Sequence, residues 1–372
     1  MRIAIDLLWL KHKQIGGVES YIRNILDGLI SLNDDFFVYL ITTKDNNKSF
    51  ELYCKDHRFE IVVCNTVASS SIRSIMWMNL HLDRLVKNLK VDICFVPNAR
   101  IPFFTSPPNR YICTIHDLQA LHYPSYFSRW RYLWLKYSIG HLVKKANRII
   151  AISDFVKNDI VSKYNCNSEK ITTIYNAIGP VKEFCDFNLL EKKYRIKKNR
   201  YFYTISSLLK HKNTITLLKM MDNLVNQLKR KDEMLLISGI RGDNYNSLSN
   251  YIKEKNLEKN CIFTGFVSDS ERDTLIKNAS FFLFPSIFEG FGMPVIEAMR
   301  MGTKCITTRC TSIGEISQGK AIYVDQPFDE KEWIQKIDSY SQMEGVEYKF
   351  EEYDRDVIAK KYLLIFENLI GQ

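Results

Sequence analysis

Short apolar runs alternate with segments of helical periodicity from one end of the chain to the other, and no other feature constrains its fold as much. In the first half, the runs predicted to be buried strands are residues 3–8, 37–42, 60–64, 92–97, 111–116, 148–152 and 171–175. Apolar residues recur at helical spacing over 18–29, and helices are also predicted at 71–90 and 128–146. This βαβα order predicts a parallel sheet with helices on both faces.

The alternation lapses in a polar, basic stretch at 191–200 and then starts again. The later strands are predicted at 201–206, 234–238, 261–264, 281–285, 304–307 and 321–324, with a helix near 212–229. A chain of 372 residues accommodates two domains of ordinary size. We therefore predict two doubly wound, Rossmann-like α/β domains at 1–182 and 195–352 that face each other across a cleft, with a last helix at about 353–372 that can return to the first domain.

The chain carries 52 Lys and Arg against 42 Asp and Glu, and most of the excess lies in its first half. Residues 1–185 contain 24 basic and 16 acidic side chains, whereas the remainder contains 28 and 26. A basic first half is expected to meet an anionic partner, such as phosphates or a membrane surface. The chain has no Arg- or Lys-rich tract typical of nucleic-acid binding, so a nucleic-acid partner is not expected.

No apolar run approaches the roughly 18 residues of a transmembrane helix, and the first residues lack the pattern of a signal peptide. The nine cysteines include no C-x-x-C pair and mostly lie in strand-like runs, so they are predicted to be buried, reduced thiols. These features predict a cytoplasmic protein.

The segment PSIFEGFGMPVIEAMRMG at 285–302 has the strongest functional pattern. A buried strand ends at its start, and glycines at 290 and 292 lead into a helix whose first turn contains Pro294. Amides at such a helix start form an anion site, which the glycines allow a ligand to approach closely. Glu289 and Glu297 can accept hydrogen bonds from the hydroxyls of a sugar or ribose. The alternative, a capped helix with two solvated carboxylates, leaves the rest of the pattern unexplained.

This segment resembles the retaining glycosyltransferases of family four, which have the GT-B fold, and the resemblance covers nearly the whole chain. It implies that Glu289 contacts the transferred sugar and Glu297 the ribose of the nucleotide, while the amides of Gly290, Phe291 and Gly292 face the donor sugar and phosphate. The first domain would then bind the acceptor and the second the nucleotide sugar.

Two first-domain motifs match the same family. Gly16 and Gly17 precede the first amphipathic helix, where the family has a Gly-Gly loop near the donor diphosphate and the acceptor. His116 lies at the exit of a strand and matches the active-site histidine, with Asp117 beside it to orient it. A plain turn and a structural histidine are the alternatives.

In the second domain, Lys212 and Asn213 match the family's diphosphate-binding loop, and Gly265 lies in a segment that the family uses near the nucleobase. The family's usual arginine in that loop is missing, because Ser207 or His211 occupies its place. Lys210 or His211 is the candidate for a second cation. In the tail, Arg355 stands where the family often has Trp, which leaves the docking of the last helix open.

Aromatic and basic side chains are interleaved over 123–148. Such a stretch can lie on an anionic membrane, or it can pack a helix onto the sheet while Arg and Lys stems cover it. The sequence favours neither reading.

The resemblance implies transfer of a hexose, with retention and without a metal or other cofactor, from a nucleoside diphosphate sugar to a glycan acceptor. Family members with similar motifs favour GDP-mannose as the donor. They also favour, as the acceptor, a growing bacterial surface glycan, such as O-antigen or capsule, that is lipid-linked at the inner membrane surface. A UDP-sugar-dependent transferase of the same family is the alternative. A sugar-nucleotide epimerase is less favoured, since it would need a further acid/base set.

Overall fold

The computed structural model describes residues 1–11, 16–106, 110–181, 183–240 and 242–371. The chain divides into two compact units, Met1–Gly179 with Glu351–Gln372, and Pro180–Phe350. Residues between the two predicted domains thus belong to the second unit. Cys185 N donates to Thr274 Oγ1 at 2.9 Å, and Lys193 pairs with Glu271 at 2.8 Å. These contacts attach the supposed linker to the second sheet's helices.

The first unit is a seven-stranded parallel sheet with the order β3-β2-β1-β4-β5-β6-β7. Its strands are β1 Arg2–Asp6, β2 Phe37–Thr43, β3 Phe59–Cys64, β4 Ile93–Val96, β5 Tyr111–Ile115, β6 Arg148–Ala151 and β7 Ile171–Thr173. Its helices are α1 Gly17–Ser31, α2 Ser71–Trp77, α3 Asp83–Asn88, α4 Gln119–His122, α5 Arg129–Lys145, α6 Asp154–Tyr164 and α14 Arg355–Ile370. The strand order reverses between β1 and β4, which is where ligands of such sheets bind.

The second unit is a six-stranded parallel sheet with the order β10-β9-β8-β11-β12-β13. Its strands are β8 Phe202–Ile205, β9 Leu235–Ser238, β10 Cys261–Gly265, β11 Phe281–Phe284, β12 Cys305–Thr308 and β13 Ile322–Val324. Its helices are α7 Phe187–Tyr194, α8 Thr214–Asp222, α9 Tyr245–Glu254, α10 Asp269–Lys277, α11 Met293–Arg300, α12 Ile313–Ile316 and α13 Glu330–Tyr340. The order reverses between β8 and β11. The fold is therefore two doubly wound units, as the sequence predicted.

Several helices begin at a serine whose side chain caps the first turn. Ser70, Ser128 and Ser153 each accept a hydrogen bond from the backbone N–H three residues later, at the starts of α2, α5 and α6. Ser268 and Glu271 form a reciprocal capping box at the start of α10. Helices α2 and α5 thus begin within one residue of the starts that the sequence predicts, 71 and 128.

Helix α14 packs on α1 in the first unit, although Arg355 replaces the usual Trp. Arg355 Nε donates to Asn24 Oδ1 at 3.0 Å, and its guanidinium pairs with Asp27 at 3.0 Å. A Cβ on Gly28 would lie 2.5 Å from Arg355 O, so only glycine lets the two backbones approach this closely. The arginine therefore anchors the helix by polar contacts.

Two predicted helices are less regular than expected. The helix at 71–90 is α2 and α3 joined by π-helical turns at Met78–Leu82, and the helix near 212–229 is α8 followed by similar turns at Asn223–Gln227. Lys210–Lys212 forms a 3₁₀ turn, and Asn213 has a φ of 49°, so α8 begins only at Thr214.

The cysteines are free thiols, five of them buried, whereas Cys54 is exposed and Cys166, Cys185 and Cys310 are partly so. In the part of the chain that is described, no helix is both long and apolar enough to cross a membrane.

Candidate active site

In the second unit, the predicted site residues Lys212 and Glu289 lie at the carboxyl edge of the sheet, where the strand order reverses. The loop after β8 carries Lys212, and the neighbouring loop after β11 carries Glu289. Lys212 Nζ donates to Glu289 Oε1 at 2.5 Å, and both side chains are largely buried. The Lys212 ammonium also lies 5.8 Å from the centre of the Phe284 ring. The two motifs, 77 residues apart in sequence, thus form one ion pair.

The loop from Glu289 to Gly292 is largely buried, and hydrogen bonds with Thr311 and Ser312 fix its backbone. Glu289 N donates to Thr311 Oγ1 at 2.9 Å, and Ser312 Oγ donates to the carbonyls of Glu289 and Phe291 at 2.9 and 3.0 Å. Gly292 has a φ of 99° and caps the N-terminus of α11. A side chain would be strained there, which explains the second glycine of the motif.

Glu297 lies one turn into α11, beside the basic side chain of Arg272 on α10. Arg272 also pairs with Asp273 at 2.7 Å and with Asp269 at 3.2 Å. Burial raises the pKa of the Glu297 carboxyl, the charge on Arg272 opposes the rise, and Asp273 and Asp269 add to it. Arg272 is thus shared between Glu297 and two aspartates. The half-buried Glu297 carboxylate is suited to accept hydrogen bonds from hydroxyl groups.

His211 is buried and does not supply a second positive charge. Burial and the adjacent Lys212 ammonium lower the pKa of its imidazole to about 4, although Glu289 opposes the shift, so the ring is neutral at pH 7. Its carbonyl accepts a hydrogen bond from Ile287 N at 2.9 Å, which joins the two loops. Of the two residues proposed from sequence, only Lys210 is an exposed cation.

Gly265 ends β10, two strands away from β8. Its φ is 72°, and no atom lies within 4 Å of the position that a Cβ would occupy. Gly239 N donates to Gly265 O at 3.0 Å, so the exits of β9 and β10 are joined. The next residue, Phe266, is exposed. This corner of the sheet therefore offers open space and an aromatic face.

In the first unit, His116 follows β5 and is fixed by two contacts. Its Nε2 lies 3.0 Å from Pro97 O, and its ring packs edge-on against Tyr21 with centroids 4.8 Å apart. Because a carbonyl oxygen only accepts, Nε2 carries the hydrogen and Nδ1 of the neutral ring is an acceptor. Burial lowers the pKa of His116, opposed by the Pro97 carbonyl and by Asp117, so the neutral form prevails at pH 7.

Gly16 is the N-cap of α1 and Gly17 is its first residue, both exposed. No atom lies within 4 Å of the position of a Cβ on Gly16. The loop before them, residues 12–15, is outside the described residues. The glycine pair thus forms the start of α1, as the sequence predicts.

Three further polar residues lie near the exits of β1, β4 and β5 in the first unit, and the sequence patterns did not indicate them. Asp6 ends β1 and is buried, with Oδ1 accepting from Leu8 N at 2.9 Å. Burial raises its pKa to about 6, while Leu8 N and Arg100 act in the opposite direction. Asn98 Oδ1 and Gln119 Nε2 are buried and make no hydrogen bond to the described residues. Such groups suit hydroxyls of a bound ligand.

A metal site is not evident in the described ranges, which contain no group of three or more His, Cys, Asp or Glu side chains that could hold an ion. The positive charge at the second site comes from Lys212 and from Arg272.

The chain is similar to known protein families over most of its length. Residues 15–181 match the family model described as Glycosyltransferase Family 4, and residues 186–357 match Glycosyl transferases group 1. The chain is 30% identical over 298 residues to the O-antigen chain mannosyltransferase RfbU of Salmonella typhimurium, covering 78% of each chain. It is 26% identical to the O-antigen chain mannosyltransferase B of Escherichia coli, covering 66% of this chain and 64% of that one.

A further relative is a Campylobacter jejuni enzyme named N-acetylgalactosamine-N,N'-diacetylbacillosaminyl-diphospho-undecaprenol 4-alpha-N-acetylgalactosaminyltransferase. It is 26% identical over 303 residues, covering 79% of this chain and 77% of its own.

Solved structures with the same fold include a sucrose-phosphate synthase from Thermosynechococcus elongatus, with a TM-score of 0.75, 14% identity and coverage of 100% of this chain and 99% of that one. WaaG, described as a glycosyltransferase of lipopolysaccharide biosynthesis, has a TM-score of 0.71, 14% identity and coverage of 98% and 99%. Anabaena HepE in complex with UDP-glucose has a TM-score of 0.66, 14% identity and coverage of 100% and 98%.

The two doubly wound units form the GT-B fold. The chain belongs to the family 4, or group 1, glycosyltransferases.

Proposed function

We propose that the chain transfers a mannosyl group, with retention of configuration, from GDP-mannose to a growing bacterial surface glycan such as O-antigen or capsule. Two relatives are named O-antigen chain mannosyltransferases, which supports mannose as the sugar and a surface glycan as the product. The Campylobacter relative, which is named for a diphospho-undecaprenol substrate, supports a lipid-linked acceptor. The enzyme would then act in the cytoplasm, at the inner leaflet of the inner membrane.

The Lys212–Glu289 pair at the sheet's reversal point is the observation that carries this proposal. The Lys212 ammonium, 2.5 Å from the Glu289 carboxylate, would bind a diphosphate oxygen in place of that carboxylate when a donor enters. Glu289 would then be released to accept a hydrogen bond from the sugar. Amides of Gly290, Phe291 and Gly292 would face the phosphate and sugar, Glu297 the ribose, and Gly265 with Phe266 the base.

In the first unit, His116 would contact the transferred sugar through Nδ1, because its Nε2 is held by Pro97 O. Gly16 and Gly17 would lie near the diphosphate and the acceptor. Asp6, Asn98 and Gln119 would bind acceptor hydroxyls. The retaining chemistry of the family that the chain resembles would then proceed by front-side attack within an ion pair, without a covalent sugar intermediate.

We propose that no metal is needed. As the glycosidic bond breaks, negative charge develops on the departing diphosphate. Lys212 and the start of α11 would stabilise that charge, and Lys210 would supply further positive potential.

A UDP-sugar donor is the second candidate, since a structure with the same fold contains UDP-glucose. Thermal-shift measurements with GDP, UDP, ADP and their sugars separate the two. A ligand at 100 times its Kd stabilises the folded state by about 2.7 kcal/mol. We expect GDP and GDP-mannose to raise the Tm more than the uridine ligands do.

The matched variants for this test are Lys212→Met and Lys219→Met, the latter at an exposed position on α8. Lys212→Met should abolish most of the GDP shift but little of any shift from guanosine, which lacks the diphosphate. Lys219→Met should behave like the wild type. An equal GDP shift in all three proteins would refute the role of Lys212.

A further inference from the structure

One face of the first unit carries aromatic and aliphatic side chains that the rest of the unit does not cover. It is formed by α2 with its π-helical extension, by α5, and by the segment 102–106 that contacts both. Asn79 Oδ1 accepts from Phe103 N at 2.7 Å. The Phe103 ring packs against Trp134 and His141, with centroids 5.8 and 4.9 Å apart. The two helices and the loop thus form one continuous surface.

Helix α5 is only half covered by the protein. Its buried residues are Ser138, Ile139, Leu142 and Val143, all in the second half. None of residues 129–137 is buried. Of the two readings that the sequence left open, packing onto the sheet therefore accounts for the second half of the helix but not for the first.

The exposed apolar side chains follow regular stripes. On α2 and its extension they recur every four residues, and on the first half of α5 they recur at spacings of three and four. We call the set the apolar patch: Ile72 (73% exposed), Met76 (58%), Leu80 (68%), Phe104 (81%), Trp130 (83%), Leu133 (45%), Trp134 (39%) and Tyr137 (64%). Exposed apolar patches of this kind mark protein or membrane contacts.

The stretch of sequence that contains the apolar patch carries most of the chain's net positive charge. Residues 61–153 hold twelve Lys and Arg but only three Asp, so they carry +9 of the chain's net +10. Each Asp is engaged within the unit. Asp83 accepts from Tyr111 OH at 2.9 Å, Asp92 from Arg2 N at 2.7 Å, and Asp117 from Gln119 N at 2.9 Å.

Four exposed basic residues lie next to patch residues along the helices, and we call them the basic rim: Arg73, Arg129, Arg131 and Lys136.

We propose that this face docks on an anionic phospholipid bilayer. The apolar patch would enter the boundary between headgroups and acyl chains, and the basic rim would contact lipid phosphates. Trp and Tyr favour this depth because their rings are apolar with one polar edge. The proposal rests on the proposed function in one respect, since the surface is the means by which the enzyme would reach a lipid-linked acceptor.

The test is co-sedimentation of the full chain with phosphatidylcholine vesicles, with and without phosphatidylglycerol, in the absence of donor and acceptor. We expect binding to the anionic vesicles, a blue shift of the tryptophan emission, and loss of binding as salt screens the charges. Each basic residue near an anionic surface contributes roughly a factor of five to binding. Arg129→Gln with Arg131→Gln should therefore weaken binding about thirty-fold.

The matched control for the charges is Lys192→Gln with Lys198→Gln, two exposed positions in the second unit. For the apolar patch, Trp130→Ser is compared with Leu364→Ser, an exposed position on α14. Trp130→Ser should reduce binding about tenfold or more with an unchanged Tm, and both controls should bind like the wild type.

Equal, salt-insensitive binding to neutral and anionic vesicles, or none, overturns the proposal. So does a wild-type dimer in sedimentation velocity that Trp130→Ser converts to a monomer, because the face would then bind a second copy. The vesicle assay does not depend on catalysis. Failure to transfer mannose would leave its result intact, and failure to bind vesicles would leave transfer to a water-soluble acceptor unaffected.

Discussion

At the scale of single residues, Glu297 is the sharpest test of the donor site. Its carboxylate is half-buried and makes no hydrogen bond to another described side chain, so its burial is unfavourable without a ligand. Glu297→Gln should weaken GDP binding about ten- to a hundred-fold, as expected for loss of hydrogen bonds to a charged group.

Titration calorimetry measures this effect. Glu258→Gln, at an exposed position in the same unit, is the control. Because burial raises the pKa of Glu297, wild-type affinity should also fall as the pH is lowered through that pKa, whereas the Gln variant should lack this dependence. Unchanged affinity in a folded Glu297→Gln protein would exclude the ribose-binding role.

His116 should matter for turnover rather than for nucleotide binding. Its Nδ1 is the acceptor that would face the sugar, so His116→Ala should lower the transfer rate about a hundred-fold or more while GDP affinity stays the same. The exposed His57 provides a control variant, His57→Ala. Transfer at the wild-type rate in His116→Ala would remove it from the site.

Asp6 should make the stability of the chain depend on pH. Its pKa is about 6 in the folded chain and near 3.8 when solvated. Between these values the folded chain holds a proton that the unfolded chain has lost, so the free energy of unfolding falls as the pH rises through this window, by about 3 kcal/mol. The Asp6→Asn variant has no carboxyl group at this position, so its free energy of unfolding should not fall in this pH window.

Urea unfolding at about pH 4 and about pH 8 measures this pH dependence of the free energy of unfolding. The control is Asp35→Asn, at an exposed position. Asp6→Asn should gain stability over the wild type at the higher pH only. A gain of the same size at both pH values would show that Asp6 is ionised throughout.

At the scale of elements, the contact between α14 and α1 depends on Arg355. Arg355→Ala removes a hydrogen bond to Asn24 and an ion pair to Asp27. It should lower the free energy of unfolding of the first unit by about 1–3 kcal/mol, whereas Lys360→Ala, on the exposed side of α14, should change it by less than about 0.5 kcal/mol. Hydrogen exchange of α14 amides is the measurement. Equal protection in both variants would show that apolar packing alone holds the helix.

The apolar pattern predicted the strands of both sheets to within about two residues, because buried parallel strands are continuous apolar runs. It missed α7, whose basic residues suggest a domain boundary until the ion pair between Lys193 and Glu271 is known. It also missed Asp6 and Asn98 as site residues. They come together only because β1 and β4 are neighbours at the reversal point, and sheet order is not encoded in local spacing.

The sequence did predict that Lys212 and Glu289 belong to one site, through their motifs. It could not predict that they pair directly, since that distance depends on how two loops pack.

At the scale of the whole molecule, transfer should not need a divalent metal. The proposed charge stabilisation uses Lys212 and the start of α11, so EDTA should leave the transfer rate unchanged within about twofold. The control is the same assay with added Mg²⁺ or Mn²⁺. A loss of activity in EDTA that either ion restores would contradict this part of the mechanism.

The most direct test of the central claim is transfer of labelled mannose from GDP-mannose by the full chain to lipid-linked glycan from the producing cells, with the anomeric configuration of the product determined by NMR. The account predicts a mannosylated product with the same configuration as in the donor. An inverted product would contradict retention. Transfer from a UDP-sugar instead of GDP-mannose would contradict the proposed donor, and the absence of transfer from every nucleotide sugar would contradict the central claim itself.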